Sequence, residues 1–168
     1  MWIMKRSAII STCGLYRYEL RRVWDDRLPP MAMIMLNPST ADAQKDDPTI
    51  RRCIGFAETN RCGSLIVGNL GAGRSSSPAI WMWMDDPIGP DNDAHLARIL
   101  TECSARNGLA VVAWGAHGAF RRRNHAFMKI AAGVRAPLWC LGVTKTGEPR
   151  HPLYIKKDAA FVSFLSQP

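Results

Sequence analysis

The chain reads as an α/β fold in three layers, α/β/α, with a four-stranded central parallel sheet and an N-terminal β-hairpin. Three observations carry that reading. Short apolar runs recur at Ala32 to Leu36, Leu65 to Val67, Leu109 to Trp114 and Leu138 to Leu141. Runs of this length without alternation are what strands covered on both faces look like. The segments between them place apolar residues at helical spacing, so strand and helix alternate and the crossovers build a parallel sheet. Each run also stops at a polar cluster, and ligands of open parallel sheets bind in the crevice outside the strands' carboxyl ends.

The 168 residues fit one domain, 1–168, large enough to bury a core. Residues 1–30 form its hairpin extension. Ser7 to Trp24 holds β-prone residues around Gly14, with Ala8 to Thr12 and Tyr16 to Val23 as the arms, attached to an edge or a face of the sheet. After the first buried run, Asp47 is a good N-cap and Pro48 a good first helical residue. Ile50, Cys53, Ile54 and Ala57 follow on one helix face, with Arg51, Arg52 and Glu58 on the other. Gly71 to Asp91 is irregular. Its Trp81-Met82-Trp83-Met84 segment suits either an exposed stacking loop or burial against the sheet.

Asp93 caps the next helix, which turns Leu96, Ile99, Leu100 and Cys103 inward and closes at Asn107-Gly108. A helix from about His117 to Ala132 buries Phe120, Phe127, Met128 and Ala131 and exposes Arg121-Arg122-Arg123. A final helix, capped by Asp158, buries Phe161, Phe164 and Leu165.

Twenty-two basic against 14 acidic residues give a formal charge of +8. That balance suits an acidic partner such as nucleic acid, or a merely basic enzyme. Five cysteines show no CxxC spacing, so neither a zinc ribbon nor an iron–sulfur cluster is indicated, and they read as buried thiols in a reducing cytoplasm. Asp91-Asn92-Asp93 with His95 reads as turn and cap rather than a metal site, so no metal or cofactor is expected. Ala8-Ile9-Ile10 is too short for a signal peptide and no run reaches membrane-spanning length. The expectation is a cytoplasmic protein with no membrane association.

The polar clusters supply the candidate site. In Asn37-Pro38-Ser39-Thr40, proline stops strand pairing, and the asparagine amide both donates and accepts, so it can hold a water and a substrate edge together. Asn69 ends the second run and leads into Gly71-Ala72-Gly73-Arg74, where Arg74 can meet a phosphate. The glycines lack the third member of a dinucleotide fingerprint. His117 near a helix N-terminus is held neutral and can donate to a developing anion. His151, between Pro149 and Pro152, sits on a stiff loop. Each also has an ordinary reading: turn chemistry, a solvated arginine, an incidental loop histidine.

Together, Tyr16-Arg17-Tyr18, Met35-Leu36-Asn37-Pro38-Ser39-Thr40-Ala41-Asp42, Asp46-Asp47-Pro48-Thr49-Ile50-Arg51-Arg52-Cys53, Gly89-Pro90-x-Asn92-Asp93 and Pro149-Arg150-His151-Pro152-Leu153-Tyr154 resemble the bacterial and phage family known as domain of unknown function 1643. More distantly, the order of landmarks is similar to the uracil-DNA glycosylase superfamily. That resemblance implies a uracil-DNA-glycosylase-like fold and a monofunctional DNA glycosylase, a base-excision hydrolase that flips a damaged or modified base and cuts its N-glycosidic bond.

On that resemblance Asn37 and His151 are catalytic, the first positioning water and the second stabilising the departing base. Pro38, Ser39, Asn69 and His117 bind the substrate, with Asn69 reading the base edge. Trp114-Gly115 stands where the superfamily's third strand ends in Trp-Gly. Arg74, Arg150 and Arg121 hold phosphates of a DNA partner. Met35-Leu36 stands where the superfamily's motif starts with glycine, and Leu153-Tyr154 where Ser-Pro follows His-Pro. The base-stacking aromatic has no counterpart. The alternative function is a non-catalytic module that binds a nucleotide or modified base in the same crevice.

Overall fold

Along the chain the elements are β1 (Lys5–Ile10), β2 (Arg17–Val23), β3 (Pro30–Met35), α1 (Pro48–Thr59), β4 (Ser64–Asn69), α2 (Pro78–Met82), α3 (Asn92–Ala105), β5 (Leu109–Val112), α4 (Arg123–Val134), β6 (Leu138–Cys140) and β7 (Val162–Ser163). The computed structural model describes residues 3–165. One sheet takes up all seven strands in the order β1-β2-β4-β3-β5-β6-β7. The four expected strands β4, β3, β5 and β6 are mutually parallel. The hairpin β1–β2 extends the sheet antiparallel to β4, and β7 closes the far edge antiparallel to β6. The four-stranded sheet is therefore the centre of a seven-stranded one.

Every residue of β3 and β4 is buried, because helices cover both faces. Side chains alternate across a strand, so one apolar run feeds two cores. Ala32, Ile34 and Ile66 pack with Leu96, Ile99 and Leu100 of α3 and with Phe127 and Ala131 of α4. Met31, Met33, Leu65 and Val67 pack on the opposite face with Ile50, Cys53 and Phe56 of α1. α1 starts as its sequence dictates: Asp47 Oδ1 accepts from the Ile50 amide at 2.8 Å, and Pro48 follows. Gly108 closes the chain after α3 by donating to the Cys103 carbonyl, and a Cβ there would strike the Pro30 carbonyl oxygen.

Several expectations need correction. The helix expected from His117 starts only at Arg123, because Arg121 and Arg122 adopt left-handed φ values of 48° and 56°, leaving one 3-10 turn over Phe120–Arg122. Arg123 is buried, not exposed: its Nε donates to the Leu70 carbonyl and its Nη2 pairs with Asp93. Asp93 therefore sits in the first turn of α3, and Asp91 takes the cap position. Among the described residues no helix follows Asp158. The chain instead forms the short β7, with Phe164 buried and Leu165 exposed. The tryptophan segment divides between its two readings. Trp81 is fully buried, its Nε1 donating to the Pro87 carbonyl at 2.8 Å, whereas Trp83 is 88% exposed. Four cysteines are buried and Cys13 is exposed.

Candidate functional site

The loops that leave β3 and β5 meet the loop around His151 in one cleft of about 400 Å³ at the carboxyl ends of the central strands. That volume suits a small organic ligand. Asn37, Ser39, His117 and His151 all line it, as their places after the apolar runs predicted.

Asn37 joins two loops. Its Nδ2 donates to the Pro38 carbonyl at 3.0 Å and to the Ser75 carbonyl at 2.9 Å, while the Ser75 amide donates back to the Pro38 carbonyl. Pro38 is consequently buried behind the wall rather than lining it. The one side-chain atom Asn37 keeps unspent is Oδ1, an acceptor, which can hold a water hydrogen or a ligand N–H.

His151 caps the 3-10 turn Pro152–Tyr154, its Nδ1 accepting from the Leu153 amide at 3.2 Å. That contact puts the proton of the neutral ring on Nε2. Burial pushes the imidazole pKa below its ordinary value, and the negative charge of Asp47 pulls the other way. The ring is thus a neutral N–H donor in the cleft.

His117 is exposed on the same wall. Its expected placement at a helix N-terminus fails, because α4 begins six residues later, so no helix dipole acts on it. Trp114-Gly115 shapes this side. Gly115 turns with φ 75° and donates to the Pro149 carbonyl at 2.8 Å, tying the β5 loop to the His151 loop. Glu148 stiffens the joint, its carboxylate accepting from Trp114 Nε1 and Asn124 Nδ2.

The remaining candidates lie off the wall. Asn69 ends β4 as expected but is 1% exposed and stands behind Arg17, whose Nη2 donates to its Oδ1 at 3.4 Å. Arg74 is close enough to repel Arg17 and donates from Nη1 to the Gly14 carbonyl. Arg150 is exposed, with Nε on the Val143 carbonyl. The exposed Arg121 holds its guanidinium 5.3 Å from the centre of the Phe120 ring.

Three wall residues escaped sequence reasoning. Arg17 is only 2% exposed. Burial lowers its pKa to about 10 against the attraction of Asp47, so it remains a cation at neutral pH. Asp47 was legible as a helix cap, but the same carboxylate faces the cleft. Tyr154, 86% exposed, lines the cleft with its ring 6.3 Å from the His151 ring. The Tyr-Arg-Tyr and His-Pro-Leu-Tyr segments were conspicuous in the sequence, but no periodicity marked their orientation.

Among the described residues, no group of three His, Cys, Asp or Glu side chains could hold a metal ion, and no helix is long and apolar enough to cross a membrane. No curated protein matches the chain. A solved structure to which it is similar is hetero-hexameric glutamate dehydrogenase from Thermus thermophilus in its leucine-bound form, at 12% identity and a TM-score of 0.31. The match covers 81% of this chain and 32% of that one, so the chain spans about a third of that enzyme's length, and a likeness at this level carries no functional argument. A family model described as "Protein of unknown function (DUF1643)" matches residues 17–153.

Proposed function

The chain belongs to the DUF1643 family, one of unknown function, and we propose that it is a monofunctional DNA glycosylase-like hydrolase acting on the N-glycosidic bond of a damaged or modified base. One observation carries the reading: an asparagine acceptor (Asn37 Oδ1), a carboxylate (Asp47) and a neutral imidazole donor (His151 Nε2) share one cleft.

Cleavage of a glycosidic bond needs water at the anomeric carbon and a stabilised leaving group. Asn37 Oδ1 orients the water, and Asp47 takes its proton as the new C–O bond forms. The C–N bonding pair leaves with the base, and His151 Nε2–H donates a hydrogen bond to the resulting anion. A neutral donor needs no reprotonation between turnovers. Tyr154 offers its ring for stacking on the base, the role that had no counterpart in the sequence. Asn69, held behind Arg17, acts by positioning that guanidinium rather than by reading the base. A groove beside the cleft, lined by Arg51, Arg52 and Lys157, offers cations to flanking phosphates, in place of Arg150 and Arg121.

The test is incubation with DNA carrying a panel of modified pyrimidines, followed by alkali. Strand breaks that Asn37→Ala abolishes support the enzyme. Binding without base release, unchanged in Asn37→Ala, supports the other reading, a nucleotide-binding module. What favours that second reading is that Asn37 Nδ2 is spent on loop carbonyls, leaving a single polar atom for chemistry.

A further inference from the structure

We propose that the cleft holds an oxyanion subsite, in which Arg17 with the Ser39 and Ser76 hydroxyls takes the phosphate of a nucleotide. The ligand then enters with its own phosphate rather than as a bare base. The choice of a nucleotide rests on the nucleobase reading above; the anion does not.

Arg17 is incompletely partnered. A guanidinium has five N–H donors. Arg17 uses Nη1 on the Ala41 carbonyl at 2.8 Å and Nη2 on Asn69 Oδ1, and its buried Nε has no partner. No carboxylate stands within ion-pair distance of it among the described residues. A buried cation is costly unless paired and fully hydrogen-bonded. Arg17 lines the cleft, where an anion would supply the missing charge partner.

The nearby acids do not fill that role. Asp42 spends Oδ1 on the Gln44 and Lys45 amides, and Asp47 spends Oδ1 on the cap of α1. Both act on Arg17 only from a distance. The hydroxyls complete the set. Ser39 and Ser76 line the cleft and their side chains have no protein partner, whereas Ser75 Oγ is committed to Ser77. Asn69 fixes the orientation: its Oδ1 holds Arg17, and its own Nδ2 is buried and unpartnered. The open donors in the cleft are the Ser39 and Ser76 hydroxyls, beside an Arg17 guanidinium that has no carboxylate within ion-pair distance among the described residues. Donor-rich surroundings of this kind fit phosphate oxygens.

The experiment is calorimetric titration of the full chain with inorganic phosphate, acetate, thymidine, thymidine 5′-monophosphate and the dinucleotide dTpdT. Phosphate should bind and compete with the monophosphate, while acetate should not compete. The monophosphate should bind about 10- to 100-fold more tightly than thymidine, the range expected for added hydrogen bonds to a charged group. Preference for the monophosphate over dTpdT assigns the subsite to a free or terminal phosphate, and the reverse order assigns it to one within a strand.

Arg17→Met should erase the preference over thymidine. Because Arg17 is buried, the variant Ser39→Ala/Ser76→Ala, at the cleft lining, provides the same reading with less risk to folding. Equal binding of nucleoside and nucleotide, or no binding of phosphate at millimolar concentration, overturns the proposal. A retained phosphate preference without any base release overturns the hydrolase and leaves the subsite; base release without phosphate preference does the opposite.

Discussion

Strand β2 buries two arginines five residues apart and surrounds them differently. Arg22 is fully buried, with Nε on Asp46 Oδ1 at 2.8 Å, Nη1 on the Arg21 carbonyl at 2.8 Å and Nη2 on the carbonyls of Asp42 and Lys45. Arg6 adds a second cation to the same Asp46. Arg17, nearly as buried, has one carbonyl, one amide oxygen and no carboxylate. The same residue type on the same strand is thus a closed clamp at one end and an open donor set at the other. Burial alone does not separate a structural arginine from a functional one; the count of satisfied donors does.

The largest effect should come from breaking the clamp. Arg22→Met leaves Asp46 with only the half-exposed Arg6 and strips several loop carbonyls of their donor. Removing one partner of a buried pair costs about 3–5 kcal/mol, which urea denaturation would read directly. A loss below about 1 kcal/mol would erase the distinction between the two arginines.

Arg17→Met should behave in the opposite way. It removes a cation that the fold leaves incompletely partnered, so stability should change by no more than about 1 kcal/mol and can rise, as is common when a functional site loses a strained polar group. Nucleotide binding should nevertheless fall about 10- to 100-fold. A urea midpoint as depressed as that of Arg22→Met would show Arg17 to be a second structural clamp.

How much of this was legible depends on where burial came from. The central strands announced themselves, because Ala32 to Leu36 must satisfy two cores and can afford no polar residue. The clusters after those strands followed from topology, and Asn37, His117 and His151 do meet. Arg17 was hidden because a hairpin arm reads as an edge. β2 instead lies between β1 and β4, an internal strand. Its charges had to be matched by tertiary partners: Glu19 by Arg21, His95 and Arg98, and Arg22 by Asp46. Nothing local encodes those pairings. The late start of α4 was equally invisible, since two successive arginines at positive φ run against the preference of any non-glycine residue. Asp47 was legible only as a cap, which concealed its second face.

That double use gives a smaller, separable effect. Asp47→Ala removes the α1 cap and should cost about 1 kcal/mol. Asp47→Asn keeps a capping oxygen and should recover that stability within a few tenths of a kcal/mol. Only the carboxylate can accept the water's proton, so base release should fall in both variants. Release that returns in Asp47→Asn would confine Asp47 to the helix.

The smallest expected effect is one of pH, at His151. Burial lowers the His151 pKa from its ordinary value of 6.5, and Asp47 only partly offsets this. Above pH 6.5 the ring is neutral in both folded and unfolded chains, so it contributes no pH dependence there. As pH falls below 6.5 the unfolded chain binds the proton first, and stability drops until the folded ring protonates too. Protonation of Nδ1 would also break its bond from the Leu153 amide, loosening the turn that carries Tyr154. His151→Asn supplies a capping oxygen that does not titrate. Urea midpoints of the two proteins should therefore run parallel from pH 8 to 6.5 and diverge below it, with the wild type falling faster. Parallel curves down to pH 5 would mean that His151 is not held neutral by its surroundings, and the neutral donor proposed for the departing base would lose its footing.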